Sequence, residues 1–249
     1  EWDILDTRKF DTFQFVSPEE KQELAVMLEE WRGRTFEDLT ATQYTEEELE
    51  AIEVGVMTKG VAKQSTMAMN PDYPEIVKRG YRFYVDECKQ KLADLEKEEM
   101  TIEKMNQKYT WQAMIIAMEA VITFAHRYAD LAEKMAAECK DEKRKAELLT
   151  MAADCRIVPE YPAQTFQQVL QLILLTHCTI MIENNGYHHP IGRLDQYLYP
   201  FYQKALAEGQ TEEFLSDLIH EFKIRFEEMW YLRSAGEAEA YPGCALYMH

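Results

Sequence analysis

Glycine and proline are scarce, nine and eight in 249 residues. The long segments between them repeat apolar residues at a 3.6-residue period, so the chain is expected to be mainly helical. Positive charge is also short. Lys and Arg number 27 against 45 Asp and Glu, a net charge of −18. That balance argues against nucleic acid and anionic membrane as partners, because phosphate binding rests on clustered cations. The acidity itself reads as solubility. No apolar run is long enough for a membrane. The longest, residues 169–182, is interrupted by Gln171, Thr176, His177 and Thr179. It falls short of the roughly 20 residues of a span and reads as a buried core helix. No secretory leader and no initiator methionine stand at Glu1-Trp2-Asp3-Ile4, so this is not expected to be the start of the gene product. The five cysteines, Cys88, Cys139, Cys155, Cys178 and Cys244, are scattered and lack metal-ligand spacing. Free thiols in a reducing cytoplasm are expected, with no zinc site. No Glu-x-x-His pair occurs, which excludes a di-metal carboxylate bundle of that ligand pattern.

What is present is a hydrophobic content of 47%, enough for a core rather than disorder, in a length that allows one large or two small domains. Ser17-Pro18-Glu19-Glu20 is a capping box with proline at the first helical position, predicting a helix to about Arg32, ended by Gly33. Residues 40–73 lack a clear period. Within them, residues 54–70, with Gly55, Gly60 and Asn70-Pro71, read as a long loop with small elements. Pro74 opens a helix to about Glu99 whose apolar stripe is Ile76, Val77, Tyr81, Tyr84, Val85, Cys88, Leu92 and Leu95. Thr101 starts another, with Met114, Ile115, Met118, Ile122 and Ala125 at helical spacing; its tail, residues 128–140, alternates charge and alanine and reads as a solvated face. Residues 142–155 form a further amphipathic helix that stops before Pro159 and Pro162. Thr165-Phe166-Gln167-Gln168 is a second capping box, leading the most apolar helix of the chain into the Asn184-Asn185-Gly186 turn. Thr211 caps a last helix to about Leu232. Residues 241–248 begin like a strand, and the chain is expected to continue past it.

Five segments in order carry a resemblance. Arg127-Tyr128-Ala129-Asp130-Leu131-Ala132 is followed by Cys155-Arg156-Ile157-Val158-Pro159-Glu160-Tyr161-Pro162-Ala163-Gln164-Thr165-Phe166. After the apolar helix come Glu183-Asn184-Asn185-Gly186 and Ile191-Gly192-Arg193-Leu194-Asp195-Gln196-Tyr197-Leu198-Tyr199-Pro200. Together these resemble the pyruvate formate-lyase-like domain of glycyl radical enzymes, and Asp6-Thr7-Arg8-Lys9-Phe10-Asp11-Thr12-Phe13 resembles its front. The resemblance implies a ten-stranded α/β barrel wrapped in helices. Residues 1–249 would be its mainly α N-terminal portion, incomplete at both ends. It further implies a loop cysteine and a C-terminal loop glycine meeting at the barrel centre. An activating enzyme using S-adenosylmethionine and an iron–sulfur cluster takes hydrogen from that glycine, and the radical passes to the cysteine, which attacks a small-molecule substrate. Such chemistry needs a closed, dry barrel. A homodimer is implied for the complete protein.

Neither an Arg-Val-x-Gly-Tyr-like loop nor a Gly-Cys-x-Glu-like loop occurs in the chain. Cys244 sits in Pro242-Gly243-Cys244-Ala245-Leu246, with no acidic residue after it. No catalytic residue is therefore expected in this segment; both radical residues are expected C-terminal to His249. Tyr187 and His188 are the candidate substrate-binding residues. They occupy positions where polyol-dehydrating members of the family carry His and Ser, which points away from a glycerol-type diol. The alternative is a structural turn of Tyr187, His188 and His189 closed by Pro190. Met67, Ala68 and Met69 stand near the place of a family histidine and lean toward a less polar substrate, or else simply fill core gaps. Arg193 is expected to be a buried structural cation and Asp195 a helix cap. Glu183 is expected to need hydrogen-bond partners at the end of an apolar run. His126, His177 and His220 read as packed core residues.

Two functional classes follow. The first is an anaerobic lyase in which this segment forms barrel wall and part of the substrate pocket. Dehydratase, choline-type lyase, arylacetate decarboxylase and formate acetyltransferase all stay open. The second is a non-catalytic helical remnant or interaction module of the same fold.

Overall fold

Ser17, Thr35 and Thr45 each stand three residues before an acidic side chain, and each opens a helix. The computed structural model describes residues 17–57, 70–184 and 190–228. Helix α1 (Pro18–Trp31) starts on the expected box: Ser17 Oγ accepts the Glu20 N–H at 3.2 Å, and the Ser17 N–H donates to Glu20 Oε2 at 2.8 Å. Gly33, at φ +74°, follows its end. Thr35 with Asp38 opens α2 (Phe36–Ala41), and Thr45 with Glu48 opens α3 (Glu46–Glu53). The end of α2 and all of α3 fall within residues 40–73, where the sequence shows no clear period; of the loop expected at 54–70, residues 58–69 lie outside the described residues. With only 6 and 8 residues the two helices are too short to show a period, but each box satisfies two of the N–H groups orphaned at a helix start.

The described residues fall into two units, 17–57 with 180–184, 190 and 227–228, and 70–179 with 191–226. The second unit is organised around a broken helix. α4 (Tyr73–Leu95) is capped by Asp72, whose Oδ1 accepts the Glu75 N–H at 3.3 Å. Its stripe buries Tyr73, Ile76, Val77, Val85, Cys88 and Leu95. At Gly80 the backbone leaves the helix, at φ 72° and ψ 163°, a region open to glycine alone. The N–H groups freed by the break find partners outside the helix. Tyr81 and Arg82 donate to the carbonyls of Pro159 and Glu160, both at 2.9 Å, and the Ala163 N–H donates to the Val77 carbonyl at 3.0 Å. A side chain at position 80 would collide with this strap, since a Cβ there would lie 2.3 Å from the Glu160 carbonyl oxygen and 2.6 Å from Tyr161 Cα.

Helix α5 (Ile102–Glu138), 37 residues long, packs beside α4 and α6 (Glu142–Ile157). The tail expected to be a solvated face is solvated on one side only. Ala129, Ala132 and Ala136 are buried, whereas Asp130, Glu133 and Lys134 are exposed. Ala125, Ala129, Cys155 of α6 and Leu175 of α7 (Phe166–Asn184) make one cluster with Phe124 against it. Small side chains let the helices approach closely there, and a leucine buried in such a site contributes about 1.5–3 kcal/mol. Met114, expected in the stripe, is instead 44% exposed. The stripe itself deepens only after Ile122, where neighbours lie on both sides.

The box at Thr165 forms on one arm. Thr165 Oγ1 accepts the Gln168 N–H at 3.2 Å, but the Gln168 side chain bonds elsewhere. Its Oε1 accepts the Gln164 N–H at 2.9 Å and its Nε2 donates to the buried Asp154 Oδ1 at 3.0 Å. A buried carboxylate demands a donor, and satisfying it ties α6 to α7. α7 is buried from Phe166 to His177 apart from its half-buried Gln167, Gln171 and Leu174. No described helix is long and apolar enough to cross a membrane. α8 (Leu194–Ala207) buries Leu198 and Ala205, and its Lys204 Nζ donates to the Gln164 carbonyl at 2.9 Å. α9 (Glu212–Glu227) starts where Thr211 Oγ1 accepts the Phe214 N–H, and it buries Leu215, Phe222 and Phe226. No strand occurs among the described residues.

Candidate functional site

Three stretches of the second unit meet around hydroxyl-bearing side chains: 70–81, 176–178 and 191–197. Asp72 fixes the start of α4 and thereby places Tyr73, which is 0% exposed. Its hydroxyl is buried without a hydrogen-bond partner among the described residues, a condition that costs roughly 1–3 kcal/mol. Tyr81 lies just past the Gly80 break, so its direction is set by the strap; its hydroxyl donates to Thr176 Oγ1 at the long distance of 3.5 Å. Tyr197, in the first turns of α8, donates to the Ile191 carbonyl at 2.8 Å. Gly192 turns the chain at φ +69°, and a Cβ there would stand 3.8 Å from both Asn70 Oδ1 and Nδ2. This close pairing brings residues 70–73 beside 191–197.

Electrostatically the cluster is neutral. Burial pushes the Tyr73 phenol well above its usual range, with Tyr81, Tyr197 and Cys178 adding to the effect. Burial likewise raises Tyr81, against a smaller opposing pull from the Thr176 hydrogen bond, and raises Tyr197. The Cys178 thiol is pushed up to about 11, again by burial. At neutral pH all four hold their protons. These four groups therefore act as hydrogen-bond donors rather than bases, which suits binding and orientation rather than proton abstraction.

Tyr187, His188, His189, Gly186 and Asn185 lie outside the described residues, as do Met67, Ala68, Met69 and Cys244. Several flanking residues differ from expectation. Arg193 is exposed and serves as the N-cap position of α8 without a side-chain cap bond. Asp195 is exposed in the first turn of α8; there it faces the positive end of the helix rather than capping it. Glu183 is exposed, because α7 emerges into solvent at Ile182. His177 is fully buried, 4.4 Å from the Phe226 ring centroid, as a core histidine should be. His220 is exposed, and His126 is ion-paired, its Nε2 3.1 Å from Glu160 Oε2.

The sequence reading passed over Tyr73, Tyr81 and Tyr197 because tyrosine at a helical apolar position counts as core. The signal available was the hydroxyl itself: each such group needs a partner once buried. Glu160 was also passed over, although a carboxylate set between Pro159 and Pro162 in an otherwise apolar strap calls for a cation.

The pyruvate formate lyase-like family model matches residues 1–248. The chain belongs to that family. Among its pyruvate formate lyase-like relatives, the probable dehydratase YbiW of Escherichia coli (strain K12) is 30% identical over 237 residues, covering 94% of this chain and 29% of that protein. The (2S)-3-sulfopropanediol dehydratase of Klebsiella oxytoca is 30% identical over 236 residues, covering 93% and 28%. A solved structure described as concerning 1,2-propanediol dehydration in Roseburia inulinivorans superposes with a TM-score of 0.81 at 30% identity, covering 100% of this chain and 30% of that one. The chain thus spans less than a third of the length of these relatives. Within the pyruvate formate lyase-like fold it is a partial segment, and the helical character expected of that portion is what the described residues show.

Proposed function

We propose that this segment forms wall and part of the substrate pocket of an anaerobic glycyl radical lyase, with Tyr187 and His188 contacting the substrate. The supporting observation is the match over the whole chain, at 30% identity and a TM-score of 0.81, to a protein studied for 1,2-propanediol dehydration. The radical glycine and the reactive cysteine come from the C-terminal remainder of the fold, which has no counterpart among these residues. A glycyl radical, installed by an activating enzyme that uses S-adenosylmethionine and an iron–sulfur cluster, supplies the hydrogen-atom abstraction. This segment's own part is to orient substrate and exclude water. A buried wall whose phenols and thiol stay protonated at neutral pH suits that task, because it brings no charge to the site. Small hydroxylated molecules are the substrate class, as the names of the sulfopropanediol and propanediol relatives suggest. The complete protein pairs as a homodimer. It works in the cytoplasm, in keeping with the free thiols at Cys88, Cys139 and Cys155.

Anaerobic activation followed by electron paramagnetic resonance and a turnover assay tests the reading. The enzyme containing this segment is expected to show a glycyl radical doublet. Tyr187→Phe or His188→Ala should leave that doublet intact and raise KM about tenfold, the usual loss for a hydrogen bond of this kind. The 249-residue chain alone should show neither signal nor turnover. Turnover by that chain, or normal KM values in both variants, contradicts the assignment.

A further inference from the structure

We propose that the Tyr73 hydroxyl is a ligand-binding donor, positioned for an oxygen acceptor of a small polyol or hydroxy-sulfonate. The inference rests on the substrate-pocket reading above and names a contact within it. Tyr73 is completely buried, and its hydroxyl has no hydrogen-bond partner among the described residues. Phe166 and Phe226, the other large aromatic side chains buried to that degree, carry no hydroxyl. The neighbouring hydroxyls are engaged, Tyr81 on Thr176 and Tyr197 on the Ile191 carbonyl. A phenylalanine would fill the apolar part of the Tyr73 site equally well, so packing among the described residues leaves the oxygen at 73 unexplained.

The surroundings define what the hydroxyl would meet. Tyr81, Tyr197 and Cys178 are the titratable groups that act on Tyr73, and burial keeps each of them protonated. A protonated phenol seeks an acceptor, so an alcohol, carboxylate or sulfonate oxygen satisfies it. A quaternary ammonium has neither acceptor nor donor and would leave the hydroxyl orphaned. The cluster thus favours molecules that carry an oxygen acceptor over a tetraalkylammonium ion, which carries none.

Thermal-shift titration of the enzyme containing this segment tests this, with (2S)-3-sulfopropanediol, propane-1,2-diol and tetramethylammonium as probes. Wild type is expected to be stabilised by at least one hydroxylated probe and not by tetramethylammonium. Tyr73→Phe loses no protein hydrogen bond, so unliganded it should melt no lower than wild type, while its apparent Kd for that probe rises about tenfold. If the variant fails to fold, 3-fluorotyrosine at position 73 reads the same contact, since its fluorine resonance should move on adding the probe. Equal affinity in wild type and Tyr73→Phe, an unmoved fluorine resonance, or no stabilisation of wild type by either hydroxylated probe overturns the inference. Tyr73-dependent binding in an enzyme that shows no glycyl radical after activation would instead uphold this contact and remove the radical-lyase reading.

Discussion

Arg82 and Glu160, 78 residues apart in sequence, are joined through a single carboxylate oxygen. Arg82 Nε and Nη2 donate to Glu160 Oε1 at 2.9 and 2.8 Å, while His126 Nε2 lies 3.1 Å from Oε2. The Glu160 side chain is 10% exposed and that of Arg82 30%. Glu119 stands near the far side of the guanidinium, at 3.9 Å, and is itself held by Lys89 at 2.7 Å. The side-chain pair reinforces the backbone bonds between the same residues, so α4, α5 and the strap at 158–163 share one polar anchor.

Glu160→Gln keeps the shape of that anchor and removes its charge. A hydrogen bond to a charged partner contributes about 1.5–3 kcal/mol, and the exposed edge of Arg82 favours the lower end. For a chain of this size the melting temperature should fall by roughly 3–6 °C. Calorimetry showing no change would mean that the pair is solvated in solution.

Gly80→Ala should be worse, because two penalties coincide. The backbone conformation at 80 costs a non-glycine residue about 1–3 kcal/mol, and the added methyl would meet backbone atoms of Glu160 and Tyr161 that have no rotamer by which to escape. The expected outcome is loss of the bonds from Tyr81 and Arg82 to the strap, seen as rapid amide exchange at both. Protected amides in a folded Gly80→Ala chain would refute the steric argument.

Asp154 gives a pH dependence. Burial raises its pKa, and the hydrogen bond from Gln168 only partly opposes this. A carboxyl whose folded pKa lies above its unfolded value binds its proton more tightly when folded, so its contribution favours the fold at acid pH and is lost as pH rises through the folded pKa. Asp154→Asn, which can still accept from Gln168 Nε2, has no such titration. The melting temperature of the variant relative to wild type should therefore climb as pH rises from below the ordinary aspartate range to neutrality. A difference that is flat with pH, or that shrinks, contradicts it.

α1 and the helices from α4 onward were legible because their periods are long and caps sit in the sequence: Ser17, Thr101, Thr165 and Thr211 each open one, as expected. α2 and α3 escaped because a helix of a turn or two offers no period to read. The Gly80 break escaped for the opposite reason. The stripe runs straight through it, and only the strap docking from 78 residues away reveals why a glycine stands there. At the site, the family segments pointed to the neighbourhood of residues 183–200. They did not disclose that Tyr73 reaches the same cluster, since that depends on Asn70 meeting Gly192 across a fold. Arg193 and Glu183 were misjudged because neighbours in sequence were taken for neighbours in space.

The strap closing on α4 has a consequence for the order of assembly. α5 and α6 are joined by a short connection and can pair early, drawing Val77 and Ala163 together before either is bonded. The entropy of closing a loop grows only with the logarithm of its length, and a hairpin already folded inside the loop reduces the length that remains free. The Gly80 seam therefore closes at the smallest entropic cost once the enclosed hairpin has paired, and so reports that the hairpin is in place.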